Sequence, residues 1–415
     1  MSKKKVFIII ENLTFGNKRK NVTPKSKRLS SNIGHIRMGG RFMSLNTIGI
    51  LGCGGHIGKY ATEKLLRLGF QVLGAQRNSV TYFDDYKNYS FTNIDVMDKG
   101  QLDGFVEKCD IVINCISPSH LYGKIVKDAV CKKDKIYIDP SDMSFEQEER
   151  NVTGKCVTSC GYIPGISEFL PYIVAHKQFD KIRRTVIYQG GFDGCSPGAF
   201  VDMILGAANK NLFGDSYILH GNICPLSINI KKTYETPFSK NKVIFKPLIN
   251  RDTIRLQKKI GSDQQYFFCA YDNMETLRFF MKLLIEGSRY ESNVAAENIK
   301  RKLYERIEQD ETFGKEEVGA YLFFELIGEK SGYEKCISGK LFLKNVNRLC
   351  GNFLGEVVKE IAMSPGKVLS GLNYGFEILN PEYLEKISTE LENGEYMKIN
   401  EIPIKNKIAI EEFIR

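Results

Sequence analysis

The sequence lacks the features that mark membrane-spanning, secreted and zinc-binding proteins. No run of apolar residues approaches the roughly eighteen that a membrane-spanning helix needs. The eleven cysteines form no Cys-x-x-Cys pair and no spacing typical of a disulfide framework. With 42% hydrophobic and 26% charged residues, the 415-residue chain has the composition of a globular protein of a reducing cytoplasm. We therefore expect no membrane partner and no bound metal.

Most of the chain carries no net charge. The formal net charge is +10, but residues 1–42 hold eleven lysines and arginines and a single acid, Glu11, so the remainder is neutral. Residues 1–43 are expected to be a disordered, dispensable basic leader. Its origin stays open between a disordered tail, an organelle transit peptide and translated sequence upstream of Met43. Because the excess charge is confined to this leader, we predict no nucleic-acid partner.

A glycine-rich loop joins a strand to a helix near the start of the neutral part. Residues 48–51 have the pattern of a buried strand, and residues 58–68 have that of an amphipathic helix. The glycines between them form G-x-x-G-x-x-G with one glycine added. Such a loop lets backbone amides approach a phosphate at a helix N-terminus, although an ordinary turn is the alternative. We predict that a dinucleotide is bound here by Gly52, Gly54, Gly55, His56, Ile57 and Gly58.

The second strand lacks the acid with which NAD enzymes bind the ribose 2′-hydroxyl. Gln76, Arg77, Asn78 and Ser79 occupy that position, about twenty residues past the glycines. An arginine there can bind a 2′-phosphate through two parallel hydrogen bonds, whereas the alternative is a solvated surface side chain. The segment therefore favours NADP(H) over NAD(H) as the cofactor.

Strands and helices alternate from residue 47 to about residue 161. Further strands are expected at 91–96, 110–116, 135–139 and 155–161, with a helix at 120–132. This alternation predicts an α/β fold with an N-terminal doubly wound, Rossmann-type parallel sheet, whose ligands lie at the carboxyl ends of the strands. The residues that follow the fourth strand are expected beside the cofactor: Cys115, Ile116 and Ser117.

The second half of the chain has longer, alternating strands from about residue 181, among them residues 225–235 and 252–260. They predict a second α+β domain with an open mixed or antiparallel sheet. Ser196-Pro197 predicts a helix to about residue 209, and apolar residues four apart predict another at 349–361. We predict a dinucleotide-binding domain at 44–165, a substrate and dimerisation domain at 166–345, and a helix with a return toward the first domain at 346–415.

Taken in order, these motifs resemble the saccharopine dehydrogenase (saccharopine reductase) family. They are GxxGxxG, the arginine after the second strand, DIVINCISP, YIDPSD and CGYIPGISEFLP, and they cover residues 47–174. The segment GLNYGFEILNPEYLEKI is similar to the family's C-terminal return. The resemblance implies an NADP-dependent oxidoreductase acting on an amino-acid-derived C=N, C–N or C=O bond. We expect a cytoplasmic homodimer with a small-molecule substrate. The sequence departs from the family at Asp139-Pro140-Ser141-Asp142, which leaves the substrate open.

Few titratable side chains follow the predicted strand ends. Asp139 and Asp142 could hold a cationic imine or act as a base, and Asp142 could instead cap a helix. His120 could relay a proton or point to solvent, and Tyr162 is expected on the nicotinamide side of the cleft. No suitably placed Tyr-x-x-x-Lys pair or Ser-His-Asp order indicates another catalytic class. The catalytic candidates are therefore Asp139, Asp142, His120 and Tyr162.

Two other functions stay open on the sequence. A protein that kept the dinucleotide domain and lost catalysis would act as a redox-sensing regulator or scaffold. A transferase would hold NAD tightly as a prosthetic group. The full-sized second domain favours an enzyme, and oxidation of NADPH with imino or keto acids would separate the enzyme from the sensor. Cofactor retained through purification would identify the transferase.

Overall fold

The computed structural model describes most of the chain beyond the basic leader. The described residues are 36–38, 41–43, 47–146, 148–192, 196–208, 212–236, 242–290, 292–309, 319–407 and 410. Of the expected leader, they include only a short antiparallel pair, β1 (Ile36–Met38) and β2 (Arg41–Met43). The prediction that the leader is disordered and dispensable otherwise lies outside the described residues. Among those described, no helix is long and apolar enough to cross a membrane.

The remaining elements alternate in the first half of the chain and are mixed in the second. The strands are β3 (Thr47–Leu51), β4 (Gln71–Gln76), β5 (Tyr89–Asn93), β6 (Ile111–Asn114), β7 (Ile136–Ile138), β8 (Lys155–Thr158), β9 (Lys181–Phe192), β10 (Phe213–Gly214), β11 (Ser216–Leu219), β12 (Asn222–Pro225), β13 (Ile244–Ile249), β14 (Gln264–Tyr271), β15 (Gly319–Lys330), β16 (Tyr333–Leu343), β17 (Gly371–Tyr374) and β18 (Tyr396–Glu401). The helices are α1 (Gly58–Arg67), α2 (Lys99–Glu107), α3 (Ser119–Lys132), α4 (Ile166–Gln178), α5 (Pro197–Ala207), α6 (Arg251–Ile260), α7 (Met274–Arg289), α8 (Ser292–Gln309), α9 (Val346–Met363), α10 (Gly375–Ile378) and α11 (Tyr383–Glu390).

A seven-stranded parallel sheet carries the first half of the chain, in the order β17-β8-β7-β6-β3-β4-β5. Its strands are short apolar runs because helices cover both faces. Ile48 and Ile50 pack with α1, α4 and α9 on one face, and Leu51 and Val112 pack with α2 and α3 on the other. The predicted doubly wound sheet is confirmed. Its last strand, β17, comes from residues 371–374 and pairs in parallel with β8.

The second sheet follows the order β10-β13-β14-β9-β15-β16-β18, with β11 and β12 attached beside β14. It is a mixed sheet, since β9 and β14 run parallel while β15 runs antiparallel to both β9 and β16. One face, with Ile187 and Leu322, joins the core that also covers the first sheet. The other face is an aromatic layer that includes Tyr188, Phe245 and Phe268. The predicted second α+β domain is thus present.

Two of the strand predictions are wrong. Residues 252–260 form helix α6, because Asn250 caps it by accepting the Thr253 N–H at 2.8 Å. Its apolar residues at 254, 256 and 260 fit a strand and a helix about equally well, so the pattern alone was ambiguous. In residues 225–235, the strand β12 ends at Pro225, and a single bridge between Tyr234 and Val243 follows.

The two helix predictions in the second half are confirmed. Helix α5 begins after Ser196, whose hydroxyl accepts the Ala199 N–H at 3.1 Å, with proline in the first turn. Helix α9 buries Leu349 and Phe353 along one stripe. It packs directly on α1, the helix that follows the glycine loop. The C-terminal part of the chain therefore supports the element expected to bind a cofactor.

Candidate functional site

The glycine loop folds tightly between the ends of β3 and β6. Gly52 has a φ of +77°, a conformation that side chains disfavour, and its N–H donates to the carbonyl of Ala75 at 2.7 Å. A Cβ on Gly52 would lie 2.8 Å from the carbonyl oxygen of Cys115, and a Cβ on Gly58 would overlap the carbonyl of Gly52. Helix α1 therefore starts directly over the loop, which the glycines alone make possible.

The N-terminus of α1 suits a bound pyrophosphate. Its N-cap, Ile57, makes no side-chain capping bond, and the first turn contains no acid. The positive end of the helix dipole is thus not offset by a carboxylate of its own first turn. His56 is exposed at the rim of the loop, while Gly55 is half-buried. These residues fit a nicotinamide dinucleotide, as the sequence predicts.

One amide of the loop is bonded to the end of β4. The Gly54 N–H donates to Gln76 Oε1 at 2.9 Å, and Gln76 Nε2 donates to the carbonyl of Asn78 at 2.8 Å. A Cβ on Gly54 would lie 2.7 Å from Val80 and 2.9 Å from Gln76 Oε1. The side chain of Gln76, for which the sequence predicts no role, therefore links the loop to the segment that follows β4.

That segment presents a cation where NAD enzymes place an acid. Arg77, Asn78 and Ser79 are all exposed. Asn93, at the end of β5, fixes their backbone: its Nδ2 donates to the Arg77 carbonyl at 3.0 Å, and its Oδ1 accepts from Ser79 Oγ at 3.1 Å. The arrangement fits a 2′-phosphate beside Arg77.

The residues after β6 lie between the glycine loop and helix α5. The Cys115 N–H donates to the Leu51 carbonyl at 2.9 Å, and the Ile116 N–H donates to Asn114 Oδ1 at 3.2 Å. Ser117 is exposed, and a Cβ on Gly198 would lie 2.5 Å from the Cβ of Ser117. The first turn of α5 therefore packs against the strand ends of the first sheet. Burial raises the pKa of the Cys115 thiol well above its usual range.

Asp139, a predicted catalytic residue, is buried and fully hydrogen-bonded. Only 1% of it is exposed. Its Oδ2 accepts from Tyr137 Oη at 2.5 Å and from Asn114 Nδ2 at 3.2 Å, and its Oδ1 accepts the Ser141 N–H at 2.9 Å. Burial raises the pKa of Asp139, and these hydrogen bonds oppose the rise. The carboxyl ties β6 to β7 and fixes the chain that leads to Asp142.

His120 and Asp142, two other predicted candidates, lie together at the ends of β6 and β7. His120 Nε2 is 3.1 Å from Ser144 Oγ, and Asp142 Oδ1 accepts the Ser144 N–H at 2.9 Å. On its other side, His120 Nδ1 is 3.4 Å from Asp202 Oδ1, which also accepts the His120 N–H at 3.1 Å. Asp202 comes from α5, so the second half of the chain helps to orient the imidazole.

Asp142 is not the cap of a following helix, which was the alternative interpretation. The residues after it form turns, and the next helical segment is a single 3-10 turn, Glu149–Asn151. The Ser144 N–H donates back to Asp142, two residues earlier, and the Ser144 hydroxyl contacts His120. Asp142 and His120 are therefore linked through Ser144. The structure therefore brings His120 and Asp142 to one place, as expected for residues at neighbouring strand ends.

The segment that contains Tyr162 is largely buried. Tyr162 packs against the large core, and Cys160 is fully buried. Glu168 Oε2 accepts the Gly165 N–H and the Ser167 hydroxyl, both at 2.7 Å, so it caps its own helix α4. Asp252 of α6 is bonded to the Ser159 hydroxyl in the same region. Burial and the nearby charges of Glu168 and Asp142 raise the pKa of Asp252 well above its usual range.

Four residues of this region were missed: Gln76, Ser144, Asp202 and Asp252. Only Gln76 has a local signal, because it ends the strand after the glycine loop. Asp202 contacts a residue 82 positions earlier, and Asp252 contacts one 93 positions earlier, so no local pattern could reveal them. Within the described ranges, no group of three or more His, Cys, Asp and Glu side chains is arranged to hold a metal ion.

Residues 48–157, from β3 to β8, match the family described as the saccharopine dehydrogenase NADP binding domain. The first domain is thus similar to the NADP-binding domain of saccharopine dehydrogenases. The resemblance that the motif order suggested is thus confirmed. The match covers the glycine loop, the Arg77 segment and the Asp139–Asp142 turn, and it supports a nicotinamide dinucleotide as the cofactor of this domain.

A comparison with solved structures finds similarity over most of the chain. Saccharopine dehydrogenase (L-Glu forming) from Saccharomyces cerevisiae, in its apo form, is 14% identical with a TM-score of 0.57, covering 86% of this chain and 100% of that chain. DAP dehydrogenase from C. glutamicum, in complex with DAP, is 13% identical with a TM-score of 0.40, covering 84% and 99%. No curated protein matches the sequence. The yeast structure shows that the shared fold extends beyond residues 48–157 into the second half of the chain.

Proposed function

We propose that the protein is an NADP(H)-dependent oxidoreductase that transfers hydride to or from an amino-acid-derived C=N or C–N bond, with C=O as a further acceptor. The observation that carries this proposal is the exposed cation Arg77 beyond a glycine loop, at the position where an acid would select NAD. The uncapped start of α1 supports a bound pyrophosphate. The match of residues 48–157 supports the same cofactor class.

The nicotinamide would supply or accept the hydride, and the chain must bind the substrate and hold or move its proton. His120 and Asp142 are the best supported of the predicted catalytic residues, because they lie half-buried at neighbouring strand ends. Asp142 would hold a cationic nitrogen, and His120, oriented by Asp202, would hold or release a proton. Asp139 and Tyr162 are assigned to supporting the site, since Asp139 is fully hydrogen-bonded and Tyr162 packs against the core.

A cofactor titration tests the first part of the proposal. We expect NADPH to bind more tightly than NADH, and Arg77→Ala to weaken NADPH binding by about 1.5–3 kcal/mol while NADH binding changes little. Fluorescence or calorimetric titration of both cofactors measures this. Equal affinities in the natural chain, or the same ratio in the Arg77→Ala variant, would contradict the proposed NADP(H) preference.

Turnover tests the second part. NADPH oxidation should be followed with 2-oxo acids, each mixed with amino acids that can form an imine with it, and NADP reduction with secondary amines that carry carboxylates. Tight NADPH binding without turnover in either panel favours the redox-sensing regulator or scaffold. NAD retained through purification favours the transferase. The expectation of a cytoplasmic homodimer stays a prediction, which sedimentation and cell fractionation would check.

A further inference from the structure

Gln76 makes two hydrogen bonds of opposite polarity, one to each part of the predicted cofactor site. Its Oε1 accepts the Gly54 N–H of the glycine loop at 2.9 Å, and its Nε2 donates to the Asn78 carbonyl at 2.8 Å. Its own carbonyl accepts the Ile94 N–H at 3.2 Å, so its backbone is fixed within the sheet. One half-buried side chain therefore bridges the loop that would hold the pyrophosphate and the segment that would hold the 2′-phosphate.

The two bonds fix the orientation of the amide. The Gly54 N–H needs an acceptor, and the Asn78 carbonyl needs a donor, so the amide cannot be flipped without losing both bonds. A glutamate could keep the first bond and would place a second carboxylate oxygen against the Asn78 carbonyl. A methionine has nearly the same length and makes neither bond. The neutral amide is thus matched to both partners.

The close approach of the loop depends on Gly54. A Cβ there would lie 2.9 Å from Gln76 Oε1 and 3.1 Å from Gln76 Nε2. Val80 Cγ1 would lie closer still, at 2.7 Å, so the fourth glycine of the loop, which the spacing G-x-x-G-x-x-G does not require, leaves room for the side chains of both Val80 and Gln76.

Gln76 also occupies the last position of β4, directly before Arg77. A carboxylate at this end of the second strand would bind a ribose 2′-hydroxyl and repel a 2′-phosphate. The uncharged amide avoids that repulsion and still positions both segments. Arg77 supplies the attraction, whereas Gln76 supplies the geometry.

We propose that Gln76 is a positioning residue that couples the glycine loop to the Arg77–Ser79 segment, and that the lack of negative charge at this position is required for the preference for a 2′-phosphate. This inference rests on the proposed function for its cofactor. The proposal predicts different effects for two kinds of change at Gln76. Loss of the bridge should weaken the binding of both NADPH and NADH, whereas a negative charge at position 76 should weaken chiefly the binding of NADPH.

The experiment compares the natural chain with Gln76→Met and Gln76→Glu by titrating NADPH, NADH and adenosine 2′,5′-bisphosphate. We expect Gln76→Met to weaken NADPH and NADH together, by about tenfold for the two lost hydrogen bonds. Compared with Gln76→Met, Gln76→Glu should weaken the binding of NADPH and of the bisphosphate by about another tenfold, and the binding of NADH much less. Unchanged affinities in Gln76→Met, or equal losses for NADPH and NADH in Gln76→Glu, would overturn the proposal.

A second measurement needs no cofactor. Hydrogen exchange at the Gly54 amide, followed by NMR, should be slow in the natural chain and in Gln76→Glu, which both offer an acceptor, and fast in Gln76→Met. Equal exchange in all three proteins would overturn the bridge. If the Gly54 amide behaves as expected and neither cofactor binds, the bridge stands, the assigned preference is wrong and the proposed function fails. Melting curves of both variants confirm that the fold is retained.

Discussion

Asp252 is a buried carboxyl whose surroundings favour the neutral form. It is 0% exposed, its Oδ1 is bonded to the Ser159 hydroxyl, and its Oδ2 has no hydrogen-bond partner within the described part of the chain. Burial, with the charges of Glu168 and Asp142, raises its pKa well above the usual range. A carboxyl whose pKa is raised on folding stabilises the fold fully below its unfolded value of about 3.9, and that stabilisation is lost as pH rises through the folded pKa.

We therefore expect Asp252→Asn to stabilise the protein at alkaline pH. The variant keeps the shape of the side chain and cannot ionise, so its advantage in the free energy of unfolding should be near zero at about pH 4, should grow by up to about 1.4 kcal/mol per pH unit above the unfolded pKa, and should reach about 2 kcal/mol or more at about pH 8.5. Urea denaturation at both pH values measures the difference. Asp252→Ala is the control, because it opens a cavity and should lower stability at both. Parallel pH profiles for the natural chain and Asp252→Asn would show that Asp252 is ionised in the fold.

His120 and Asp142 can be separated from the residues that only support them. With a substrate found in the turnover panels, we expect His120→Gln and Asp142→Asn each to lower kcat by about 10²–10⁴ and to leave NADPH affinity unchanged. Asp139→Asn should act through stability instead, because its carboxyl is bonded within the sheet. Steady-state kinetics and cofactor titration of the three variants decide. Full activity of both His120→Gln and Asp142→Asn would place the proton chemistry elsewhere.

Single residues also show which parts of the candidate site can be predicted from the sequence. The glycine loop and Arg77 were predictable, because one strand and one helix place them within about thirty residues of each other. Asp139 and Asp142 were found as strand-end acids, but their different burial was not, since it depends on Tyr137 and Asn114 of two strands. Asp202 could not be found at all, because its contact with His120 exists only once α5 packs on α3.

At the scale of elements, the packing of α9 on α1 depends on a glycine. A Cβ on Gly351 would lie 2.5 Å from the Cβ of Tyr60 and 2.6 Å from the backbone nitrogen of Ala61. A backbone atom of a helix cannot move aside as the end of a side chain can. The sequence showed the apolar stripe of α9 and not this contact, because a glycine on a helix has no periodicity of its own.

We expect Gly351→Ala to lower the free energy of unfolding by about 1–3 kcal/mol, since the two helices must separate. Gly104→Ala in α2 is a matched control, because its Cβ would meet nothing within 4 Å. There the higher helix propensity of alanine should stabilise the protein by up to about 1 kcal/mol. Chemical denaturation of both variants measures the contrast. A stability for Gly351→Ala equal to that of the natural chain would mean that α9 and α1 are not held this closely.

Elements whose partners lie far along the chain were the least predictable. The strand β17 has four residues and completes the first sheet only because the chain returns beside β8 after more than two hundred residues. The sequence predicts a strand where helix α6 lies, because its apolar positions fit both the strand and the helix period. The Asn250 cap is the signal that favours the helix. Long apolar stripes such as that of α9 were predicted well, since their pattern repeats over several turns.

At the scale of the whole molecule, the two sheets share one hydrophobic core. Buried residues from the first sheet, such as Ile48, contact the same cluster as Ile187 and Leu322 of the second sheet, and α9 contributes Phe353 to it. Polar contacts cross the same boundary, including the bond between Ser159 and Asp252. Separating the two halves would expose a large apolar surface, which is unfavourable in water.

We therefore expect the natural chain to unfold in a single cooperative calorimetric transition, although the sequence predicts separate domains at 44–165 and 166–345. Saturating NADPH, whose proposed site lies on the first sheet, should raise the midpoint of that one transition, because ligand binding to part of a cooperative unit stabilises all of it. Two transitions, of which NADPH shifts only the one that belongs to the first sheet, would contradict the shared core. Gly351→Ala then serves as a probe, since a weakened α9 should lower the midpoint of the whole molecule and keep the transition single.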